Sequence, residues 1–468
     1  MDEKLMDFRL NALGPLDGRY ADKVEPLREI FSEKGLMSYR IKVEEEYLIA
    51  LSVHPGVAHL RQFTPLEIGF IHGLHKLTSE QARIIKLIET RGYEGIKRTK
   101  HDVKNIEYYI RRAFKMTSLE DVVSWVHFAL TSEDITNIAY ALMLRDALNL
   151  VLLPEMRLIR LKLQIWAAKY SELSMAARTH GQTAVGTSLG KEFGVWENRL
   201  DRQIIQLHKF KILVKLNGAV GNYNAHRAAY PEVNWIEFTT NLVMSFNGYG
   251  DIVTLEPNLV TTQIEPHDTY AELFGILNRI NTILLDMCED IWRYVSDDWI
   301  VLKAVAEETG SSTMPQKVNP IDFENAEGNL GIATALMEFF CRKLPKSRLQ
   351  RDLSDSTVLR SFGTALGHCL LAYKSILEGF SKIVPNPTEI KVYLDRHPEM
   401  ISEGIQTILR REGVPNAYEV LKDFTRGKRV SLENIREFII TLPVSDAVKG
   451  ELLELSPQTY VGKAMRIV

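Results

Sequence analysis

Cysteine is scarce in this chain, and long apolar runs are missing. Three cysteines occur among 468 residues, Cys288, Cys341 and Cys369, and they lie far apart among apolar neighbours. An odd number of cysteines without CxxC spacing argues against a disulfide framework, a zinc site or a redox motif, and it favours buried thiols in a reducing compartment. No apolar run approaches the roughly 20 residues that a membrane helix requires, and the stretch MDEKLMDFRL does not resemble a signal peptide. We therefore expect a cytoplasmic protein that does not associate with a membrane.

The chain also lacks an excess of charge of either sign. Lysine and arginine total 57 against 60 aspartates and glutamates, a formal net charge of -3. This small charge produces no long-range field that attracts nucleic acid, so any bound anion must be held by a local site. Hydrophobic residues make up 45% and charged residues 25%, which is typical of globular proteins and argues against disorder or a filament. The length predicts two or three domains.

Strand-like alternation is scarce, and helical periodicity dominates almost the whole sequence. In the segment Thr269–Tyr294, apolar residues recur at alternating steps of four and three, the seam spacing of a helix bundle. Phe274, Ile283 and Leu285 occupy other faces of this segment, so we expect a central helix with more than one neighbour. The seam residues are Leu273, Leu277, Ile280, Leu284, Met287 and Ile291.

Similar long helical patterns occur elsewhere, and they exceed the average length of a helix in a globular domain. They cover residues 153–170, 186–214, 325–342 and 358–383, while one region, Gly248–Pro266, looks extended. The predicted fold class is therefore all-α. We expect three helical domains, with punctuation at VPNPTE before the last of them. These are an N-terminal domain (1–119), a central long-helix bundle (120–384) and a C-terminal domain (385–468).

The stretch GSSTMPQKVNP, Gly310–Pro320, does not suit a packed helix. Its glycine and serines favour a mobile loop, and its two prolines prevent a helix from continuing through it. Lys317 offers a point charge and Asn319 an amide, which suit a carboxylate, while Ser311 and Ser312 offer hydroxyl groups. Composition alone favours an ordinary polar loop between helices, so a ligand-binding interpretation depends on other segments.

Three further polar segments interrupt apolar ones. The segment ARTHGQTA contains His180, and histidine is a residue type often used for proton transfer. TSEDITN begins with Thr131 and Ser132, which suit a helix N-cap, where free N–H groups favour anions. TKHDVK places His101 beside Asp102. A single histidine is more often structural or exposed than functional, so none of these segments identifies a site by itself.

Taken together, these segments resemble a known family. GSSTMPQKVNP is similar to the GSSxMPxKxNP loop of the fumarase/aspartase superfamily, a group of helical lyases that release fumarate by β-elimination. Within that superfamily the chain resembles the adenylosuccinate lyase family, specifically its bacterial long-chain branch, over nearly its whole length. The other segments that carry this resemblance are PLDGRYADKV, TSEDITN, RTHGQT, LNGAVGNYNAH, TTQIEPHD, KVNPIDFENAEGNLG, RDLSDSTVLR and TRGKRV.

The resemblance implies a carbon–nitrogen lyase of purine nucleotide biosynthesis, which releases fumarate from adenylosuccinate and from succinylaminoimidazole carboxamide ribotide. It implies that Ser311 is the general base, that His180 is the general acid, and that His101 supports catalysis. The implied contacts to phosphate and ribose are Arg19, Tyr20, Arg351, Ser356 and Arg360. The other implied substrate contacts are Asp102, Thr131, Ser132, Gln263, Ser312, Lys317, Asn319 and Asn325.

The resemblance also implies a homotetramer, in which the central bundles form the core and each active site draws on three chains. The expected ligand is a small molecule, a succinylated purine nucleotide. We expect no metal or organic cofactor, because the sequence shows neither a cluster with metal-ligand spacing nor a glycine-rich nucleotide loop after a strand.

Two alternatives remain open at this stage. Gln316 stands where histidine is common in this branch, and the region 247–261 is longer than usual. Since glutamine at that loop position also occurs in argininosuccinate lyases, a similar activity is one alternative, although it leaves the phosphate-binding segments without a use. A catalytically idle helical scaffold is the other, and it has no need of Ser311, His180, Lys317 and Asn319.

Overall fold

The computed structural model describes residues 3–304, 313–314, 316–427 and 429–467. The predicted site residues Ser311 and Ser312 lie outside the described residues. Helices account for 62% of the structure, and within the described ranges the strands form three two-stranded sheets. This confirms the all-α expectation.

Helices make up most of the described chain, and the longest of these α-helices, Asp268–Ser296, has 29 residues. In chain order the α-helices are α1 (Glu3–Leu10), α2 (Glu25–Phe31), α3 (Glu33–Val53), α4 (Pro65–Ile71), α5 (Ser79–Thr90), α6 (Lys104–Phe114), α7 (Ser132–Ala147), α8 (Leu153–Lys169), α9 (Leu189–Leu207), α10 (Asn224–Ala229), α11 (Trp235–Ser245), α12 (Asp268–Ser296), α13 (Ile321–Lys343), α14 (Ser354–Leu359), α15 (Phe362–Lys382), α16 (Pro387–Arg396), α17 (Ser402–Arg411), α18 (Ala417–Thr425), α19 (Leu432–Thr441), α20 (Asp446–Leu453) and α21 (Ala464–Ile467). Two 3-10 helices cover Glu120–Trp125 and Pro398–Ile401, and a π-helical turn, Leu148–Leu152, joins α7 to α8.

In the part of the chain that the structure describes, six short strands pair in three places. The antiparallel hairpin β1 (Ser174–Thr179) and β2 (Gln182–Ser188) separates α8 from α9. The parallel pair is β3 (Lys211–Val214) and β4 (Thr254–Pro257), and the antiparallel pair is β5 (Ile300–Leu302) and β6 (Ile383–Pro385). Strand β4 lies within Gly248–Pro266, so the extended conformation expected there is confirmed for that part of the region.

The chain divides into two compact units. The first comprises Met1–Met156, Gln203–Thr282 and Gly328–Lys374. The second comprises Arg157–Arg202, Ile283–Glu327 and Ser375–Val468. The expected division into three domains at residues 119 and 384 is a different partition of the chain, and it stays a prediction.

Helix α12 confirms the expectation of a central helix. All of its six seam residues, from Leu273 to Ile291, are completely buried. Phe274 and Ile283, on other faces, are also buried, and Leu285 is half-buried. Apolar side chains at the heptad seam and beyond it remove several faces of the helix from water, which is the main source of stability for a long helix in a protein.

Each unit has its own aromatic core. In the first unit, the ring of Phe362 packs against Phe274, Phe340 and Tyr270, with centroids 4.9, 5.3 and 5.7 Å away. In the second unit, the rings of Trp166, Phe193, Phe323 and Phe380 cluster, with Trp166 4.9 Å from Phe193 and 5.4 Å from Phe380. Offset and edge-to-face packing of this kind adds to the hydrophobic gain from burial.

The predicted long helices are confirmed in their central parts, but two of the four predicted segments are not helical throughout. Helices α8 and α13 cover the patterns at 153–170 and 325–342. The pattern at 186–214 is helical only over α9, because its first residues complete strand β2 and its last ones form strand β3. The pattern at 358–383 is broken by a turn at Arg360 and Ser361, where the N–H of Ser361 bonds the carbonyl of Val358 at 2.9 Å.

The helical segment Ser132–Lys169 is long and apolar enough to cross a membrane by length and composition. However, 78% of its most apolar window is buried inside the structure. Core helices of globular proteins have this property, since their apolar faces are covered by other helices.

Replacing Gly190 with alanine is expected to destabilise the second unit by about 1–3 kcal/mol, the usual range for overpacking. The N–H of Gly190 bonds the carbonyl of Tyr170 at 2.9 Å, and an added Cβ would lie 2.3 Å from the carbonyl oxygen of Ala167. Gly450→Ala is the matched control, because nothing lies within 4 Å of its added Cβ. Urea unfolding of both variants measures the effect, and equal midpoints would contradict the steric argument.

Candidate active site

A pocket in the first unit collects residues from distant parts of the chain. Its volume is about 270 Å³. The surrounding segments are the loop before α6, the start of α7, the loop before α12, and α14 with the loop before it. The predicted site residues that line it are His101, Asp102, Thr131, Ser132, Gln263, Arg351 and Ser356.

Asp102, which lines this pocket, forms ion pairs with two arginines. Its Oδ2 lies 2.9 Å from Arg40 Nη2 and 2.7 Å from Arg360 Nη2. Burial acts to raise the pKa of Asp102, but the charges of Arg40 and Arg360 outweigh it, so the pKa lies below its ordinary value. Asp102 therefore stays ionised at neutral pH and pairs with Arg360, a predicted phosphate contact that is not itself part of the pocket lining.

His101 has a defined orientation. Its Nδ1 accepts hydrogen bonds from the backbone N–H groups of Val103 and Lys104, at 3.2 and 3.3 Å, at the start of α6. Since Nδ1 is an acceptor there, the neutral imidazole carries its proton on Nε2. That Nε2 lies 3.5 Å from Ser132 Oγ, and half of the His101 side chain is exposed. His101 thus presents an N–H donor to the pocket.

Thr131 and Ser132 lie at the beginning of α7, as the sequence predicted. Asp134 closes the capping box, since its Oδ2 accepts the N–H of Thr131 at 2.9 Å. Oxygen Oδ1 of Asp134 accepts the N–H groups of Asn217 and Gly218 and lies 2.8 Å from Lys215 Nζ. Asp134 and Lys215 are both completely buried. Asn217 and Gly218 of the segment LNGAVGNYNAH therefore help to hold the start of α7, where Thr131 and Ser132 lie.

Arg351 joins two sides of the pocket. Its Nη2 lies 3.1 Å from Glu133 Oε2, and its Nη1 donates to Gln263 Oε1 at 3.2 Å. Burial raises the pKa of Glu133 to about 7, although the charges of Arg351 and His267 act against it. The guanidinium is thereby fixed in the pocket wall, where a bound anion can meet it.

His180 belongs to the second unit, at the tip of the β1–β2 hairpin. Thr179 pairs with Gln182, so His180 and Gly181 form a two-residue turn, with φ of 53° and 72°. Two positive φ values are typical of a type I′ turn, which matches the twist of a hairpin. The side chain of His180 is exposed, and its neighbour Arg178 packs over Trp299 at 4.3 Å and pairs with Asp297.

The described residues of the predicted loop also belong to the second unit. Lys317 is exposed, and its N–H bonds the carbonyl of Met314 at 3.1 Å. Asn319 is half-buried. Asn325 lies on α13, where its Oδ1 accepts a hydrogen bond from Ser375 Oγ at 2.9 Å. In this structure Asn325 therefore links α13 to α15.

Arg19 and Tyr20 lie in the first unit, in the loop before α2. The guanidinium of Arg19 lies 5.8 Å from the ring centroid of Tyr20. Arg19 is exposed and Tyr20 is half-buried. Within the described residues, neither Arg19 nor Tyr20 lines the pocket.

Four residues at or behind the pocket were missed by sequence reasoning. Arg40 lies in helix α3, Glu133 stands in TSEDITN, Asp355 in RDLSDSTVLR and His267 in TTQIEPHD. All four are buried. One ligand atom from each of Glu133, His267 and Asp355 lies within 4.8 Å of the others. Their burial marks them, since an ion is seldom buried without a partner, and no local pattern in the sequence indicates that burial.

Two solved structures share the fold over most of the chain. A fumarate lyase from Mesorhizobium sp. BNC1 superposes with a TM-score of 0.72 at 17% identity, covering 94% of this chain and 96% of that one. A 3-carboxy-cis,cis-muconate lactonizing enzyme from Pseudomonas putida has a TM-score of 0.70 at 18% identity, with 94% of each chain covered. These likenesses show that the chain shares the fold of these two proteins.

Sequence comparisons are more specific. The lyase family model matches residues 18–334, and the model for the adenylosuccinate lyase C-terminal region matches residues 347–461. Curated proteins called adenylosuccinate lyase from Escherichia coli K12 and Legionella pneumophila Corby are each 44% identical, over 461 and 465 residues, covering 98% of both chains. The chain belongs to the adenylosuccinate lyase family.

Proposed function

We propose that the protein is a carbon–nitrogen lyase that releases fumarate from adenylosuccinate to form AMP. The same cut in succinylaminoimidazole carboxamide ribotide is part of the proposal. The observation that carries it is the 44% identity, over 98% of both chains, to the protein named adenylosuccinate lyase from Escherichia coli. The match of residues 347–461 to the C-terminal model supports this substrate over that of other lyases.

The first chemical step is removal of a proton from the carbon next to a carboxylate of the succinyl group. This carbon acid is very weak, so the carbanion must be stabilised as an aci-carboxylate whose charge lies on oxygen. Ser311 takes the proton in our proposal. The donors to the carboxylate are Thr131, Ser132, Ser312, Lys317 and Asn319, and Gln263 and Asn325 are further contacts of the substrate.

The second step is cleavage of the carbon–nitrogen bond. The electron pair of the carbanion forms the double bond of fumarate, and the pair of the broken bond goes to the purine nitrogen. His180 donates a proton to that nitrogen as general acid. His101 orients the substrate with its Nε2–H, and Asp102 supports it by holding Arg40 and Arg360 near the pocket.

Recognition of the nucleotide is assigned to the arginine-rich wall of the pocket. Arg351, Ser356 and Arg360 contact phosphate and ribose in our proposal, together with Arg19 and Tyr20. Guanidinium groups present several N–H donors in one plane, which suits a phosphate dianion. The ion pairs of Arg351 with Glu133 and of Arg360 with Asp102 support this assignment, because they hold both groups in place before substrate binds.

The active form is a cytoplasmic homotetramer in our proposal, with each active site shared between three chains. Supporting this, α8 carries Leu158, Leu161 and Ile165, each about half exposed, at helical spacing on one face. On α13, Ile332 and Phe339 are similarly exposed. Apolar stripes on long central helices are typical of surfaces that other subunits cover.

Conversion of adenylosuccinate tests the proposal. Purified protein is expected to convert it to AMP, as followed by ultraviolet absorbance, and to release an equal amount of fumarate, assayed separately. Ser311→Ala is expected to lower kcat by about 10²-fold or more, because the proton acceptor is lost. Ser381→Ala is the matched control, since Ser381 is an exposed residue near the end of α15, and it should turn over normally.

Each other outcome points to a stated alternative. Turnover of argininosuccinate in place of adenylosuccinate would support the activity that Gln316 favours. No turnover of either compound by stable tetramer would support the scaffold. Full activity of Ser311→Ala would leave the reaction established and remove Ser311 from the base role.

A further inference from the structure

Three buried ionisable groups meet at the pocket wall: Glu133 and Asp355 line the pocket, and His267, which the mechanism above does not use, lies beside them. Glu133, His267 and Asp355 have relative exposures of 1%, 0% and 3%. They are far apart in sequence, yet one ligand atom of each lies within 4.8 Å of those of the others. The ring of His267 stacks on Tyr270 at 5.0 Å, with an angle of 5° between the planes. This stacking fixes the direction of both ring nitrogens.

The polar atoms of this group lack direct partners. Within the described residues, neither ring nitrogen of His267 makes a hydrogen bond, and the same holds for Glu133 Oε1 and Asp355 Oδ2. His267 Nε2 lies 3.7 Å from Asp355 Oδ2, and Nδ1 lies 3.8 Å from Glu265 Oε2. Leaving buried polar groups unpaired is costly, so atoms this close are expected to compensate one another.

The ring of His267 lies among acidic side chains. Those of Glu133, Glu265 and Asp355 surround it, while Arg351 supplies one positive charge at Glu133. Burial acts to raise the pKa of Asp355, but its interactions with His267 and Arg351 outweigh burial, so this pKa lies below its ordinary value. Nε2 of His267 faces the carboxyl group of Asp355 and Nδ1 faces that of Glu265, so an N–H on either nitrogen points at an acceptor.

Each of two carboxylates beside His267 also holds a residue of the pocket wall. Glu133 Oε2 lies 3.1 Å from Arg351 Nη2. Asp355 Oδ1 accepts the backbone N–H of Ser356 at 2.6 Å. Arg351 and Ser356 both line the pocket. The imidazole of His267 therefore lies next to Glu133 and Asp355, the two residues that hold the proposed phosphate contacts Arg351 and Ser356.

We propose that His267 is a positioning residue for the phosphate group of the nucleotide. Its imidazole lies against the carboxyl groups of Glu133 and Asp355, and through them it fixes Arg351 and Ser356 for the incoming phosphate. This role rests on the proposed function, since it assigns the phosphate to that wall of the pocket.

The test compares two ligands that differ only in the phosphate. Binding of AMP and of adenosine to the full-length protein is measured by calorimetry for wild type and His267→Gln. The variant is expected to bind AMP about tenfold more weakly, the effect of one lost charge-assisted interaction, and to bind adenosine unchanged. In turnover, KM for adenylosuccinate should rise by a similar factor while kcat is retained.

A second variant guards against a folding defect. Asp355→Asn removes the charge beside His267 and leaves the imidazole in place, and it should show the same selective loss for AMP. If either folded variant weakens AMP and adenosine equally, or weakens neither, the positioning role is wrong. If wild type itself binds AMP no more tightly than adenosine, the phosphate assignment of the proposed function fails, which is a separate result.

The same three side chains have the donor set of a divalent-cation site. We favour the positioning role because Arg351 already brings a positive charge to Glu133. Elemental analysis of the purified protein distinguishes the two. Stoichiometric metal that disappears in His267→Gln would overturn our proposal, and metal-free protein in which His267→Gln weakens the binding of AMP alone would support it.

Discussion

Replacing His180 with asparagine is expected to lower kcat by about 10²–10⁴-fold, with little change in the stability of the protein. A positioned proton donor contributes this much to the rate, which corresponds to about 3–5 kcal/mol of activation free energy. Asparagine is the better probe, because φ at this position is 53° and asparagine adopts positive φ more readily than alanine. Steady-state kinetics with adenylosuccinate measure the loss.

His208→Asn serves as the control, since His208 is an exposed histidine in the turn that follows α9. Its kcat should match that of wild type. If His180→Asn retains near-normal turnover, another group protonates the leaving nitrogen, and His101 with its Nε2–H would be the next candidate. A lower melting temperature for His180→Asn would indicate damage to the hairpin and would call for a second substitution at this position.

Replacing Lys215 with methionine is expected to destabilise the protein by about 3–5 kcal/mol, the cost of leaving one partner of a buried ion pair unpaired. Lys215 Nζ lies 2.8 Å from Asp134 Oδ1, and both side chains have 0% exposure. Nζ also donates to the carbonyl of Gly218 at 2.7 Å. Methionine fills similar space without the charge, so the loss is electrostatic. The midpoint of urea unfolding measures it.

The chain offers a matched control four residues earlier. Lys211 Nζ also lies 2.8 Å from a carboxylate, that of Glu256, but these side chains are 60% and 42% exposed. Lys211→Met should therefore cost less than about 1 kcal/mol. Adding Asp134→Asn to Lys215→Met should recover part of the lost stability, because the uncompensated charge disappears. If both lysine variants unfold at the same urea concentration, burial of the pair is not the source of stability.

Much of the helical framework could be predicted because burial in a helix has a local period. The seam of α12 was predicted residue by residue, and its six positions are all completely buried. Helix limits were harder to predict. The segment 186–214 contains the end of β2 and all of β3, and short apolar runs such as KILV fit a strand or a helix equally well. Pairing with β4, more than 40 residues away, makes the segment KILV a strand.

The candidate site divides in a similar way. The types of residue in GSSTMPQKVNP, RTHGQT and TSEDITN are features of the sequence, and so is their resemblance to one family. The residues with which these side chains pair cannot be read from the sequence. Asp102 accepts Arg360 from 258 positions away, and Arg40, the other arginine paired with Asp102, lies in helix α3, which carries both charged and apolar residues. Nothing in the local pattern around either arginine indicates such a partner.

The sequence by itself determined the helical class, the family and the chemical groups available for catalysis, because each of these is carried by local periodicity or by contiguous motifs. Only the tertiary structure decided which charges meet: Arg360 with Asp102, Lys215 with Asp134, and Arg351 with Glu133 in front of His267. The physical reason is that Coulomb energies depend on distance and burial in three dimensions. Folding sets both quantities for residues that are hundreds of positions apart.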